Sequence, residues 1–138
     1  MQITRQADYA LRAMLFLAKL EPGVRAATSQ IAEEMDIPSS FLAKIISQLS
    51  IAGLIHTSRG AHGGVSLARK PEKISLLDVV EAIDGPITLN ECTRNPDICI
   101  FGESCPIHEV WCETQNELVQ KLRAKTFDIL IEREKELQ

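Results

Sequence analysis

Four cysteines and one histidine crowd together in the pattern Cys92-x6-Cys99-x5-Cys105-x2-His108-x3-Cys112, with all four cysteines inside 21 consecutive residues of a 138-residue chain. Thiolates are soft ligands that suit iron–sulfur clusters, zinc and copper. In a reducing compartment such crowding argues for a metal or redox site rather than for disulfides. Structural zinc sites usually bring close cysteine pairs, roughly two to four residues apart. Gaps of six and five suit instead a wide loop wrapped around an object larger than one ion. A cluster needs four ligands, and the loop supplies three: Cys92, Cys99 and Cys105. The fourth has three candidates. His108 stands three residues beyond Cys105, on the same side of a helix. Cys112 stands four beyond His108, again on that side. Asp8, far earlier in the chain, would have to reach over from a second subunit. Each also has a plainer reading, as a surface imidazole, a small buried apolar side chain and a solvated carboxylate at a helix start.

These residues must be positioned by the back half of the chain. Residues 86–105 hold Pro86, Pro96 and Gly102 and show no sustained period, so a loop of that span is expected. Loops so long in a compact domain are functional or disordered, and the cysteines give this one something to organise around. From Pro106 to Glu136 the apolar residues Ile107, Val110, Trp111, Leu118, Leu122, Ile129 and Leu130 recur mostly at steps of three, four or seven. One long helix is expected there, with Pro106 at its first position. Its positive end would favour a thiolate at Cys105. A single apolar stripe on so long a helix calls for a partner, and a second copy of itself is the economical choice. Upstream, Leu76, Leu77, Val79, Val80 and Ile83 mark a helix capped by Ser75 and stopped by Gly85-Pro86.

The front half reads differently. Apolar residues from Ala7 to Ala18 keep a helical period within residues 4–20. Thr28 is expected to cap a short helix, Ser29 to Met35. After the turn Asp36-Ile37-Pro38, Ser39 is expected to cap a third helix that runs through Ala52. Two helices joined by so short a turn form a helix-turn-helix, whose second helix enters the major groove by its N-terminal residues. Here those are Ser39, Ser40, Ala43 and Lys44. Leu54–Ser58 and Val65–Leu67 read as strands around the glycine-rich turn Arg59-Gly60-Ala61-His62-Gly63-Gly64. A hairpin directly after a helix-turn-helix is a wing. Gly60 and Gly63 let its tip approach a sugar–phosphate backbone, and Arg59 and His62 can hold phosphate or enter the minor groove. Double-stranded DNA is therefore the expected partner, and paired half-sites would match a homodimer.

Composition agrees. Residues 1–73 carry nine Lys/Arg against six Asp/Glu, a balance of +3, while residues 74–138 carry six against thirteen, a balance of −7; together these recover the net −4. Phosphate binding belongs to the basic front half. With one Trp and one Tyr the core must be aliphatic. There is no apolar run long enough to span a membrane, and no basic segment followed by an apolar block at the N-terminus, so a cytoplasmic protein is expected. No nucleophile–base pair, phosphate loop or cofactor fingerprint supports an enzyme or a small-molecule substrate. The expected architecture is mainly α with a small β-hairpin: a winged helix-turn-helix over residues 1–85, a cysteine-rich loop over 86–105, and a long C-terminal dimerisation helix over 106–138.

The whole chain resembles the Rrf-type family of bacterial winged-helix transcriptional regulators. The likeness rests on Ile3-Thr4-Arg5…Asp8-Tyr9-Ala10-Leu11-Arg12, Ile37-Pro38-Ser39-Ser40-Phe41-Leu42, Gly53-Leu54-Ile55…Arg59-Gly60…Gly63-Gly64, the three loop cysteines, and Cys105-Pro106-Ile107-His108-Glu109-Val110-Trp111. It implies a dimeric DNA-binding regulator, usually a repressor, whose operator affinity follows an iron–sulfur cluster that senses nitric oxide, iron or cluster supply, or redox state. Cys92, Cys99 and Cys105 would be its thiolates. His108 matches the fourth ligand of one branch and points to [2Fe–2S]; Asp8 matches that of another and would go with [4Fe–4S]. The first cysteine gap is six residues where the histidine-ligated branch has five, and Cys112 falls where the family motif has no ligand. Cluster-free members that answer to thiol oxidation supply the alternative function, beside a zinc-responsive regulator on the same scaffold. A more distant rival is an electron-transfer or cluster-carrying protein, against which the base-facing residues and the Arg59 wing speak.

Overall fold

The computed structural model describes residues 2–138. Among them are α1 (Arg5–Ala18), α2 (Thr28–Glu34), α3 (Ser39–Ile51), β1 (Ile55–Ser58), β2 (Gly64–Leu67), α4 (Leu76–Asp84), α5 (Glu91–Arg94), α6 (Pro106–Ala124) and α7 (Phe127–Leu137), with single 3₁₀ turns at Pro71–Lys73, Pro96–Ile98 and Gly102–Ser104. The mainly helical architecture with one small hairpin is the one the sequence implies. No described helix is long and apolar enough to cross a membrane.

α1 is the central strut. The Thr4 hydroxyl accepts from the Ala7 amide at 3.1 Å and so caps the helix, and Asp8 sits in its first turn. Ala7, Ala10 and Ala13 are fully buried beside Met14, and their small side chains let α3 and α4 approach closely. The turn between α2 and α3 passes through Asp36 at φ 53°, a left-handed conformation that Asp tolerates better than most residues. Two expected caps shift: Thr28 and Ser39 lie inside their helices, behind Ala27 and Pro38, neither of which makes a side-chain cap. Ser39 and Ser40 thereby become the first two residues of α3.

β1 and β2 pair antiparallel from Ile55↔Leu67 to Ser58↔Gly64. Ala26, just before α2, adds an isolated rung to Val65 on the outer side of β2. α4 starts with a complete capping box: the Ser75 amide donates to the Asp78 carboxylate at 2.9 Å, and the Asp78 amide donates to the Ser75 hydroxyl at 3.1 Å. Gly85 caps its end.

The single helix expected from Pro106 to Glu136 is broken. α6 stops at Ala124, and the chain runs extended through Lys125 and Thr126 before α7 begins. The Leu76 amide donates to the Lys125 carbonyl at 2.9 Å, and the Phe127 amide donates to the Ile74 carbonyl at 3.0 Å. This small ladder lowers Phe127 into the main core, where it is 1% exposed. Burying such a side chain contributes about 1.5–3 kcal/mol. α7 then packs Leu130 and Ile131 on its own domain and pairs Glu134 with Lys19, the residue that follows α1, at 3.2 Å. α6 packs less closely. None of its 19 residues is buried. Leu118, Val119 and Leu122 meet a small cluster of Leu77, Val80 and Ile87.

Candidate nucleic-acid interface and cysteine cavity

Ser39, Ser40, Ala43 and Lys44 are all exposed at the N-terminal end of α3, as a recognition helix requires. A groove of about 560 Å³ separates α3 from the hairpin. Ala43, Arg59, Gly60 and Gly63 line it; Ser39, Ser40, Lys44 and His62 lie outside it. Sequence reasoning missed further polar groups on its wall: Thr28, Ser47, Ser50, Thr57 and Ser58. A signal for two of them was present, since Ala43, Ser47 and Ser50 follow one another at helical spacing on a single face. The glycine pair in the wing answers to close packing. A Cβ on Gly63 would stand 2.3 Å from the Ser58 carbonyl oxygen, and one on Gly64 would stand 2.8 Å from that of Ala26.

The cysteine segment is folded into short turns rather than left irregular. Asn90 organises its start: the side-chain oxygen accepts from the Glu91 amide at 3.0 Å, and the amide nitrogen lies 3.6 Å from Cys92 Sγ. The Asn95 side chain accepts from the Asp97 amide at 3.2 Å. Gln115 of α6 pins the segment from outside, accepting the Leu89 amide at 2.9 Å. Cys105 occupies the cap position of α6, with Pro106 next in the helix.

Together these turns enclose a cavity of about 310 Å³. Cys92, Cys99, Cys105 and His108 all line it, between apolar walls of Ile98, Phe101, Ile107 and Trp111. All four cysteines are free thiols. Among the described residues no three His, Cys, Asp or Glu side chains stand close enough to hold a single metal ion. Three soft thiolates and one imidazole around one cavity match an iron–sulfur cluster by donor type.

The other two fourth-ligand candidates lie elsewhere. Cys112 is outside the cavity lining, with its Sγ 3.4 Å from His108 Nε2. Asp8 is ion-paired to Arg12 at 2.8 Å and faces a separate depression with Thr4, Arg5 and Tyr9. Arg12 also lies 5.3 Å from the centre of the Tyr9 ring. Tyr9 in turn meets Phe41 of α3 edge-on, with centroids 5.8 Å apart.

A helix-turn-helix with an adjoining glycine-tipped wing defines the class: a DNA-binding transcriptional regulator, which is not an enzyme. The family follows from comparison. Residues 3–133 match the model of the Rrf2 family, described as an iron-dependent transcriptional regulator, and the chain belongs to that family. It is 32% identical over 139 residues to the HTH-type transcriptional regulator NsrR of Shouchella clausii, across 100% of this chain and 93% of that one. Among solved structures it is similar to CymR, the global cysteine regulator of Bacillus subtilis, with TM-score 0.82 and 25% identity over 96% of this chain and 98% of that one. The fold is shared with IscR of T. potens, at TM-score 0.81 and 23% identity over 100% and 91% of the two chains.

Proposed function

We propose that this chain is a homodimeric regulator, most simply a repressor, whose affinity for a DNA operator is set by an iron–sulfur cluster held at the cysteine cavity. One observation carries the reading: three cysteines and a histidine, spread over 17 residues of sequence, line the same cavity. Cys92, Cys99 and Cys105 are assigned as thiolate ligands. His108 is assigned as the fourth because it is the candidate that faces that cavity within the chain, and its imidazole favours the [2Fe–2S] form. When bound, the cluster supplies a group that changes charge or falls apart on meeting oxidants, nitric oxide or iron shortage.

The protein's own residues would convert that change into DNA affinity. The cysteine segment leaves α4 at Gly85, directly after Asp84. The Asp84 carboxylate accepts from the Thr4 hydroxyl at 2.6 Å, at the cap of α1. α1 reaches the recognition helix through Tyr9 and Phe41. A shift of the segment would therefore act on α1 and α3 together. On the DNA side, Ser39, Ser40, Ala43 and Lys44 would meet base edges and phosphates in the major groove, with Arg59, Gly60, His62 and Gly63 on the backbone or minor groove. The exposed Ile107, Val110 and Trp111 of α6 are assigned to the contact with the second copy.

The test is protein purified without oxygen, with iron and acid-labile sulfide counted per chain and the visible spectrum recorded. The expected result is a coloured protein with about two irons and two sulfides per chain. A colourless protein that takes up no iron and sulfide on reconstitution would refute the cluster.

A second reading, a cluster-free thiol regulator, is favoured by Cys112, whose thiol lies against His108, and by the likeness to a global cysteine regulator. It expects a colourless protein and a reversible disulfide.

A further inference from the structure

The wing is held by a strap that lies outside both the hairpin and the helix-turn-helix. Ala26 exchanges two backbone hydrogen bonds with Val65, at 2.9 Å and 2.8 Å. Both residues are buried, so this anchor is firm. It holds the hairpin one rung short of the turn, at the level of the Thr57↔Val65 pair, and does not reach the tip. Beyond it, at residues 59–63, the hydrogen bonds among the described residues are a local one, Gly63 amide to Gly60 carbonyl at 3.0 Å, and one from outside, Arg25 Nη1 to the His62 carbonyl at 3.4 Å. The second is long for a single bond. It joins a guanidinium to the very tip of the hairpin, from the residue next to the anchor. Gly64 makes the approach possible, since a Cβ there would come within 2.8 Å of the Ala26 oxygen and 3.2 Å of Arg25 Cβ.

We propose that Arg25 is a positioning residue for DNA binding, which holds the wing's tip at one angle to α3 so that Arg59 meets the duplex in register. The inference rests on the reading of the wing as a DNA contact and is independent of the cluster. A free hairpin tip would have to be ordered on every binding event, and ordering side chains and loops at an interface opposes association. Arg25 imposes that order beforehand.

The experiment is a double-mutant cycle on the full-length chain. Arg25→Gln, Arg59→Ala and the double variant are titrated against a duplex that the unmodified protein selects from a randomised pool. Melting temperatures verify folding, and amide exchange is followed at residues 60–64. Arg25→Gln is expected to weaken binding about three- to tenfold, to speed exchange at the tip, and to have almost no further effect once Arg59 is gone. Three results would overturn the proposal. One is no loss from Arg25→Gln while Arg59→Ala weakens binding. Another is the same loss in both backgrounds with the salt slope reduced by about one, which would place Arg25 directly on a phosphate. The third is no loss from Arg59→Ala, which would remove the wing contact itself.

Discussion

Cys105 carries two roles at one position. It occupies the cap position of α6 and it lines the cavity, so the positive end of a 19-residue helix lies at the place where an anionic cluster would sit. The dipole acts within the first helical turn, and that turn also brings His108 into the same wall. His108 and Asp8 can be separated by experiment. His108→Ala is expected to lower the iron retained per chain or to change the visible spectrum, while Asp8→Ala leaves both unaltered and removes only an exposed ion pair worth about 0.3–0.5 kcal/mol. Iron analysis and the spectrum of the two variants decide this, and the reverse pattern would move the fourth ligand to the other subunit's Asp8. At the same scale Lys44 and Ser40 stand free of intramolecular partners among the described residues, as groups reserved for DNA would.

The elements show where a sequence reading succeeds and where it stops. α1 was legible from its apolar period, and α4 from its period, its cap at Ser75 and its stop at Gly85, because each set of signals lies within one local stretch. The hairpin was legible from Arg59 to Gly64, since a glycine-rich turn between two apolar runs has few other outcomes. The break between α6 and α7 was not. Lys125 and Thr126 are held extended by the bonds from the Leu76 amide to the Lys125 carbonyl and from the Phe127 amide to the Ile74 carbonyl, a pairing across some fifty residues of chain that no helical period reports. Ile129 and Leu130 continued the stripe well enough to conceal it. The same limit applied to the cysteines: their spacing announced a ligand loop, whereas the cavity and the exclusion of Cys112 from it depend on turns held by Asn90 and Gln115. Phe127 gives the break its energy. Phe127→Ala is expected to destabilise the fold by about 3–5 kcal/mol, read as a lower denaturant midpoint. A change below about 1 kcal/mol would mean that the α6–α7 junction is not fixed by that side chain.

As a whole the molecule separates a basic front that carries the helix-turn-helix and wing from an acidic back whose α6 leaves an apolar patch exposed. Ile107, Val110 and Trp111 are 61%, 52% and 39% exposed in a row on α6, whereas α7 buries Phe127 and packs Leu130 and Ile131 against the protein's own core. The proposed homodimer would form through this face of α6. Replacing Ile107 and Val110 by Glu should turn a dimer into a monomer in sedimentation equilibrium with the helical circular dichroism largely kept, whereas charges placed on the outer face of α7 should leave the dimer intact. The proposed signal transfer belongs to the same scale, because it would pass through contacts of Asp84 with Thr4 and of Tyr9 with Phe41 that belong to no single element.

The central claim is that the state of the cysteine cavity governs DNA affinity. Its most direct test is a fluorescence-anisotropy titration of one selected duplex with cluster-loaded and with iron-stripped protein, at a fixed salt concentration and without oxygen. The two forms are expected to differ by about 5–150-fold, the range of ordinary allosteric coupling. Equal affinity of loaded and stripped protein for that duplex would contradict it.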